Sequence, residues 1–409
     1  MDYQLYTLGN GLRIVHKPNH NSSLVHACVV INCGSRDEKK KLVGLAHFLE
    51  HMLFKGTHSR SSYHILNRME IVGGELNAYT TKEYTCLHSS FLKKYTERSL
   101  ELFSDIMFNS SFPEKEIEKE KEVVMDEIDS YLDLPEEAIQ DDFENILFKD
   151  HPLGENILGT KEHLKKIQKK DLVEFTSKNY YAEDIVIGIY GDVEEQDLLN
   201  MVMNHFSVAK KRTKLKTREK PTRYKAEERV VKKSCVQTHA IIGNRAASIH
   251  HKQKNAMLLL SNYLGGPGMS SRLNMEIREK RGICYTIDAN YTPWTDTGFF
   301  SIYMGTDVEK MDKGLKLLHA ELKRVRENKL STIALHQAKQ KMIGQISLAE
   351  ENHLSVIIAL CKSIIDHGKA DNLMEIFNKI EKINSTQILE AANTLFEPSK
   401  LSSLIYIPE

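Results

Sequence analysis

His47, Glu50 and His51 have the residue types and spacing of a metal-dependent hydrolase site. An α-helix turns about 100° per residue, so His47 and His51 lie about 40° apart on one face, and both imidazoles can reach one metal ion. Glu50 falls about 60° to the other side of His47, where it can contact a water molecule on that metal. The stretch therefore predicts a zinc hydrolase site, with buried histidines that bind no metal as the alternative.

Two helices must position such a site. Apolar residues recur at helical intervals around the histidines, which predicts a partly buried helix: Leu45, Phe48, Leu49, Met52 and Leu53. A second, strongly acidic helix is predicted over residues 114–132. Its Glu120 and Glu127 share one face but lie about 10.5 Å apart along the axis, so both cannot ligate the same ion. One of them is expected to be the third ligand and the other to support the site.

This pattern resembles the pitrilysin or insulinase family of zinc peptidases, especially the branch of mitochondrial processing peptidase beta subunits and their bacterial relatives. The family carries His-x-x-Glu-His and, further along the chain, a ligand glutamate that another glutamate precedes by seven residues, as Glu120 precedes Glu127 here. The resemblance implies one Zn²⁺ per chain, bound by His47, His51 and Glu127. It also implies that Glu50 is the general base and that Glu120 is an outer carboxylate that helps to hold the site.

Residues 73–80, Gly-Gly-Glu-Leu-Asn-Ala-Tyr-Thr, resemble the edge strand on which this family binds an extended peptide through backbone hydrogen bonds. The resemblance assigns substrate binding to Asn77 and Ala78. The alternation of the segment alone is equally typical of an ordinary hairpin strand.

A glycine-rich run at residues 265–268 precedes a further pair of candidates, Arg278 and Tyr285. The run has neither the Lys-Ser/Thr ending of a P-loop nor the spacing of a dinucleotide site, so phosphate binding is not expected. The family places an arginine and a tyrosine seven residues apart here, as hydrogen-bond donors to the substrate and its transition state. Without the resemblance, Arg278 is interpreted as a solvated helix charge and Tyr285 as a half-buried strand residue.

The chain has 409 residues, of which 41% are hydrophobic, enough for two or three domains with sizeable cores. Twelve Lys and Arg residues between Lys210 and Lys233 are typical of an exposed linker. We therefore predict a zinc-binding domain at 1–212, a basic linker at 213–233 and a second domain at 234–409. The fold class is predicted as α+β, with two related domains that each have a mainly antiparallel sheet packed by helices.

Composition argues against several functions and locations. Lys plus Arg equals Asp plus Glu at 56 each, so the basic run does not favour nucleic-acid binding. The six cysteines are dispersed and predict reduced thiols, and no apolar run approaches membrane-spanning length. The amino-terminal residues show no signal or transit peptide. We expect a cytoplasmic protein, most simply in the bacterial cytosol, with the mature form of a mitochondrial matrix protein as the alternative.

The residues thus predict a zinc hydrolase, and the resemblance implies an endopeptidase that cleaves peptides or unfolded, presequence-like segments. The resemblance further implies a chamber made by two half-molecules of this length, hence a homodimer, or a heterodimer with a related subunit. In such a dimer, Arg278 and Tyr285 of one subunit complete the site of the other. Two alternatives are a non-catalytic scaffold or partner-dependent subunit of a processing-peptidase-like complex, and a purely structural metal site.

Overall fold

A computed structural model describes residues 3–212 and 216–409. The strands, in chain order, are β1 Gln4–Thr7, β2 Arg13–Lys17, β3 Leu24–Ile31, β4 Glu75–Thr80, β5 Thr85–Leu92, β6 Ile185–Tyr190, β7 Glu228–Lys233, β8 Thr238–Ala246, β9 Cys284–Pro293, β10 Gly298–Thr306 and β11 Ser402–Pro408. The α-helices are α1 Leu45–Leu53, α2 Ser62–Glu70, α3 Thr96–Phe108, α4 Glu114–Leu132, α5 Pro135–Leu147, α6 Lys161–Lys166, α7 Lys169–Asn179, α8 Glu195–Phe206, α9 Lys254–Gly265, α10 Val308–Glu327, α11 Thr332–Ala349, α12 His353–His367, α13 Leu373–Glu381 and α14 Ser385–Leu395. Shorter turns of 3₁₀-helix are Ser35–Asp37, Lys93–Tyr95, Pro152–Gly154, Ala182–Asp184 and Pro398–Lys400, and Asn274–Glu279 is π-helical.

The strands form two sheets with matching topology. The first sheet has the order β1-β2-β6-β3-β5-β4 and the second β7-β11-β8-β10-β9. In the first, β2 and β6 are parallel and the other pairs are antiparallel; in the second, β7 and β11 are the parallel pair. Strands β2, β6, β3, β5 and β4 therefore correspond one to one with β7, β11, β8, β10 and β9. The predicted fold class, two related domains with mainly antiparallel sheets, is confirmed.

Each sheet buries both faces, because alternate residues of a strand point to opposite sides. On β3, Val25 and Val29 belong to the larger core of the first sheet, whereas Cys28 and Val30 pack with apolar residues of α12 on the other side. On β8, Ile242 packs with residues of α9, α10 and α14, and Ile241 packs with residues of α5. Each sheet thus has helices packed against both of its faces.

The compact units are not contiguous in sequence. The first consists of Met1–Ile128, Asn156–Arg218 and Ala349–Asn372, and the second of Asp129–Glu155, Glu219–Leu348 and Leu373–Glu409. The structure therefore differs from the predicted division into 1–212, 213–233 and 234–409. Helix α12, late in the chain, belongs to the first unit, and α5, from the first half of the chain, belongs to the second. The physical reason is that one face of each sheet is covered by a helix from the other half of the sequence.

The predicted basic linker also needs correction. Its last six residues form β7, which pairs with β11. The side chains of Lys216 and Arg218 are only 14% and 11% exposed, and their charged nitrogens lie 2.9 Å and 2.8 Å from Oδ2 of Asp37. Residues 213–215 lie outside the described residues. The described part of this segment is therefore folded against acidic partners, which a count of basic residues cannot reveal.

Two further findings bear on the sequence predictions. All six cysteines are free thiols, and each is buried except Cys235, which is half-buried. Among the described residues, none of the helices combines the length and the apolar character needed to cross a bilayer.

Candidate metal centre

Helix α1 carries His47, Glu50 and His51, and its start is fixed by distant parts of the chain. Gly44, the residue before the helix, has φ +93°, and a Cβ there would lie 2.5 Å from the carbonyl oxygen of Leu158, so only glycine fits. The first turn is capped by Glu38, whose carboxyl oxygens accept hydrogen bonds from the N–H groups of Gly44 (2.9 Å) and Ala46 (2.6 Å). Burial raises the pKa of Glu38 to about 8.

The predicted apolar positions of α1 face the core of the first unit, and Leu45, Phe48, Leu49, Met52 and Leu53 are all buried. His47 and His51 are thereby held side by side, with ring centres 4.7 Å apart. Helix α4 spans the predicted residues, and its buried face includes Ile117, Val124 and Ile128. The local prediction of both helices is confirmed.

The structure brings His47, His51 and Glu127 together. Nε2 of His47 lies 3.7 Å from Oε1 of Glu127, and Nε2 of His51 lies 3.6 Å from Oε2. One ligand atom from each of the three residues falls within 4.8 Å of the others. In a tetrahedral zinc site with bonds of about 2.0–2.1 Å, ligand atoms stand about 3.3 Å apart. The donor set and its spacing therefore fit a zinc ion after a small contraction.

Glu120 lies behind His51. Its Oε1 is 2.9 Å from Nδ1 of His51, and its Oε2 is 2.5 Å from Nζ of Lys55. Burial alone would raise the pKa of Glu120, but the hydrogen bonds and charges of His51 and Lys55 outweigh it and lower that pKa. The sequence could not tell which glutamate faces the metal. In the structure, Glu127 faces Nε2 of both histidines and Glu120 faces Nδ1 of one.

The two histidines have different electrostatic environments. Burial, with a smaller effect of the neighbouring His51, lowers the pKa of His47 to about 4, so its imidazole is neutral at pH 7, the form that ligates metals. Burial would also lower the pKa of His51, but the hydrogen bond to Glu120 and the charges of Glu120 and Glu127 raise it. Within the described part of the chain, the buried Nδ1 of His47 has no hydrogen-bond partner.

Glu50 lies on α1 beside the histidines and is in contact with Thr80 at the end of β4. Its Oε2 is buried and has no hydrogen-bond partner among the described residues. Burial raises the pKa of Glu50, against the opposing influence of the hydrogen bond from Thr80 and the charge of His51. An unpaired carboxyl oxygen with a raised pKa is suited to taking and returning a proton.

Asn77 and Ala78 lie on β4, which is the terminal strand of the first sheet and lies against α1. Asn77 is exposed and Ala78 is buried. The Oδ1 of Asn77 accepts a hydrogen bond from the N–H of Ala78 (2.8 Å). β4 pairs with β5 on one side, and its other edge faces no strand of the described residues.

Arg278 and Tyr285 lie in the second unit, on the π-helical segment and on β9. Both line one cavity of about 650 Å³, as does the glycine-rich run 265–268. The ion-pair neighbour of Arg278 is Glu279, at 3.8 Å.

Sequence reasoning missed three residues that contact the centre or its helix. Lys55 follows His51 by four positions, so helical spacing could have suggested that it lies on the same face. Thr80 gave no such signal because it contacts α1 only through the tertiary fold, and Glu38 gave none because its contact depends on the conformation of the loop before α1.

Comparisons with known proteins find two family models that match this chain. A family model described as insulinase (peptidase family M16) matches residues 13–161, which include the candidate metal ligands. A second model, described as the peptidase M16 inactive domain, matches residues 166–342, which include Arg278 and Tyr285.

Relatives match over nearly the whole chain. The chain is 31% identical over 400 residues to an uncharacterized zinc protease, YmxG, of Bacillus subtilis, covering 98% of this chain and 97% of that protein. It is 32% identical over 406 residues to an uncharacterized zinc protease of Rickettsia bellii, covering 99% and 97%. A crystal structure of a peptidase M16 inactive domain from Pseudomonas fluorescens shares the fold, with a TM-score of 0.92 at 20% identity over 100% of this chain and 98% of that one. A protease from Helicobacter pylori does so with a TM-score of 0.90 at 23% identity over 99% of both chains. The chain belongs to the insulinase family of peptidases, M16.

Proposed function

We propose that this protein is a zinc-dependent endopeptidase that hydrolyses peptides or unfolded segments, with one zinc ion per chain. The observation that carries the proposal is the cluster of His47, His51 and Glu127 with Glu50 on the same helix. Two histidines and one carboxylate leave a coordination position open, as catalytic zinc sites do and closed structural sites do not. The names of the relatives from Bacillus subtilis and Rickettsia bellii, both zinc proteases, agree with this assignment.

In the proposed mechanism, His47, His51 and Glu127 hold the ion, which when bound supplies Lewis acidity that activates water near neutral pH. Glu50 takes a proton from the attacking water on its unpaired Oε2 and later returns it to the leaving amine. Glu120 fixes the orientation of His51 through Nδ1, and Lys55 keeps Glu120 charged. The edge of β4, at Asn77 and Ala78, holds the peptide extended through backbone hydrogen bonds.

Arg278 and Tyr285 are proposed to donate hydrogen bonds to the substrate, Arg278 for positioning and Tyr285 to the oxyanion that develops at the scissile carbonyl. Their exposure in a cavity supports this role. We further propose that the active form is a dimer, either of two copies or with a related subunit, in which these residues of one subunit complete the site of the other.

The test combines metal content with turnover. Purified protein should contain about one zinc per chain by mass spectrometry and should cleave a quenched fluorescent peptide library, and chelation should abolish the cleavage. Glu50→Gln should keep the zinc and lose at least about a hundredfold in kcat, because general acid–base catalysis contributes about 10²–10⁴-fold.

The matched control is Glu122→Gln, which changes an exposed glutamate of α4 and should leave both measurements unchanged. A Glu50→Gln enzyme with near-normal kcat would overturn the role of Glu50. Zinc without turnover in the wild type would favour a scaffold or a missing partner subunit, and protein without zinc affinity would overturn the metal site.

A further inference from the structure

Tyr285 occupies a β-bulge between β9 and β10. Thr286 pairs with Gly305 and Cys284 pairs with Thr306, so Tyr285 is the extra residue that faces no partner across the strands. A bulge of this kind bends its strand and redirects a side chain, and bulges are common beside active sites. Tyr285 is accordingly 53% exposed and the next residue, Thr286, is exposed as well, which breaks the usual alternation of the strand.

The hydroxyl of Tyr285 donates to Asp307, at 3.1 Å from Oδ1 and 3.4 Å from Oδ2. Asp307 immediately precedes α10, a position where aspartate ordinarily accepts a hydrogen bond from the first N–H groups of the helix. Here its side chain makes no such bond and turns to Tyr285 instead. The carboxylate of Asp307 thus binds the tyrosine rather than the backbone N–H groups of the helix.

Lys310 completes a small network with these two residues. Its Nζ lies 2.8 Å from Oδ2 of Asp307 and 6.0 Å from the ring centre of Tyr285. The hydrogen bonds from Lys310 and Tyr285 lower the pKa of Asp307, so it is a carboxylate at neutral pH. The charge of Asp307 is therefore balanced without using Tyr285, which can change hydrogen-bond partner.

We propose that Asp307, held by Lys310, is a positioning residue that fixes the side chain of Tyr285 before substrate arrives. This inference rests on the proposed function, in which Tyr285 donates to the substrate oxyanion. A phenol has one proton, but its O–H can rotate about the C–O bond while the ring stays fixed. The Tyr285 hydroxyl can then donate to the substrate oxygen instead of to Asp307. The ring itself needs no further ordering when the transition state forms.

The first test detects the contact without using activity. 3-Fluorotyrosine is placed at position 285, and its ¹⁹F resonance is compared in the full-length protein and in Asp307→Ala, Asp307→Asn and Asp312→Ala. Asp312 is an exposed carboxylate on α10 and serves as the matched control. Asp307→Ala should shift and broaden the resonance, Asp307→Asn should do so less because its amide oxygen still accepts, and Asp312→Ala should not. An unchanged resonance in Asp307→Ala would overturn the proposal.

The second test measures turnover. Asp307→Ala should lower kcat about three- to tenfold, the worth of one net hydrogen bond, with KM changed less than about twofold. Asp307→Asn should recover part of the loss. In a Tyr285→Phe background, Asp307→Ala should have almost no further effect, because the hydroxyl that it positions is gone.

Three outcomes are distinguishable. A rise of kcat in Asp307→Ala would show that Asp307 competes with the substrate, and an equal loss in the Tyr285→Phe background would show that it acts through α10; either overturns the proposal. If Tyr285→Phe alone keeps the wild-type kcat, the proposed function of Tyr285 fails, while the ¹⁹F shift still decides whether Asp307 holds the ring.

Discussion

At the scale of single residues, Glu120 and Glu127 have the same chemistry but different places. Glu127 faces Nε2 of both histidines, whereas Glu120 is only 6% exposed and bonds Nδ1 of His51 and Nζ of Lys55. Groups that orient a ligand in this way typically contribute 10–100-fold to metal affinity.

We therefore predict that Glu120→Gln weakens zinc binding about 10–100-fold, because the amide cannot balance Lys55 and holds His51 less firmly. Glu127→Ala should abolish tight binding. Competition with a chromophoric chelator measures both, and Glu122→Gln is the control on the exposed face of α4. Wild-type affinity in Glu120→Gln would contradict the supporting role.

Asp37 should make stability depend on acid pH. Burial alone would raise its pKa, but the hydrogen bonds and charges of Arg218 and Lys216 outweigh it, so the pKa lies below its ordinary value. A carboxylate of this kind stabilises the fold above its unfolded pKa of about 3.9, and this stabilisation is lost as the pH falls through the lower folded pKa.

Asp37→Asn should cost about 3–5 kcal/mol at pH 7, because it removes the carboxylate that pairs with both Lys216 and Arg218 in a buried place. The difference from the wild type should narrow as the pH falls below about 3.9 toward the lowered folded pKa of Asp37. Thermal unfolding midpoints of both proteins across this range measure the effect. A difference that stays constant with pH would show that the charge of Asp37 is unimportant.

At the scale of elements, the capping of α1 depends on one side chain from outside the helix. We predict that Glu38→Ala destabilises the protein by about 1–3 kcal/mol, because the N–H groups of Gly44 and Ala46 lose their acceptor in a buried place. Glu38→Gln should cost less, since one oxygen still accepts. Chemical unfolding with and without zinc tests this, and the loss should be the same in both conditions if the two proteins bind zinc equally well. Equal stability of Glu38→Ala and wild type would refute the capping role.

The elements that the sequence predicted well are those with strong local periodicity. Residues 114–132 coincide with α4, and the apolar spacing around His47 predicted α1. The ion pairs of Lys216 and Arg218 could not be predicted, because their partner Asp37 lies far away in sequence. The cap by Glu38 could not be predicted either, because it depends on the conformation of the loop before α1. The same holds for the placement of α5 and α12, because the sequence of a helix does not specify which sheet it covers.

The candidate site was predictable to a different degree in each half of the chain. His47, Glu50 and His51 are close in sequence, so helix geometry alone predicted their approach, and the structure has them as neighbours on α1. Nothing in local spacing marks Arg278 or Tyr285, and only the family resemblance singled them out. The bulge and the bond to Asp307 depend on strand register, which an isolated segment does not specify.

At the scale of the whole molecule, the two units share one sheet topology but carry different candidate site residues. Strand β4 of the first sheet is equivalent to β9 of the second, and each is the terminal strand of its sheet. The candidate metal centre lies beside β4, and Tyr285 lies on β9. This distribution is consistent with a duplication after which the two repeats diverged in function. It also gives the proposed dimer a genetic test, since the two sets of residues can be inactivated in different chains.

We predict that Glu50→Gln chains and Arg278→Ala,Tyr285→Ala chains are each nearly inactive alone and regain activity when mixed. If subunits exchange freely at equal amounts, about half of the dimers are mixed, and each has one intact site of two, so about a quarter of wild-type activity should return. Native mass spectrometry verifies that mixed dimers form, and mixing two Glu50→Gln preparations is the control. Mixed dimers without recovered turnover would mean that each chain builds its own complete site, and the partner would then have no part in the chemistry.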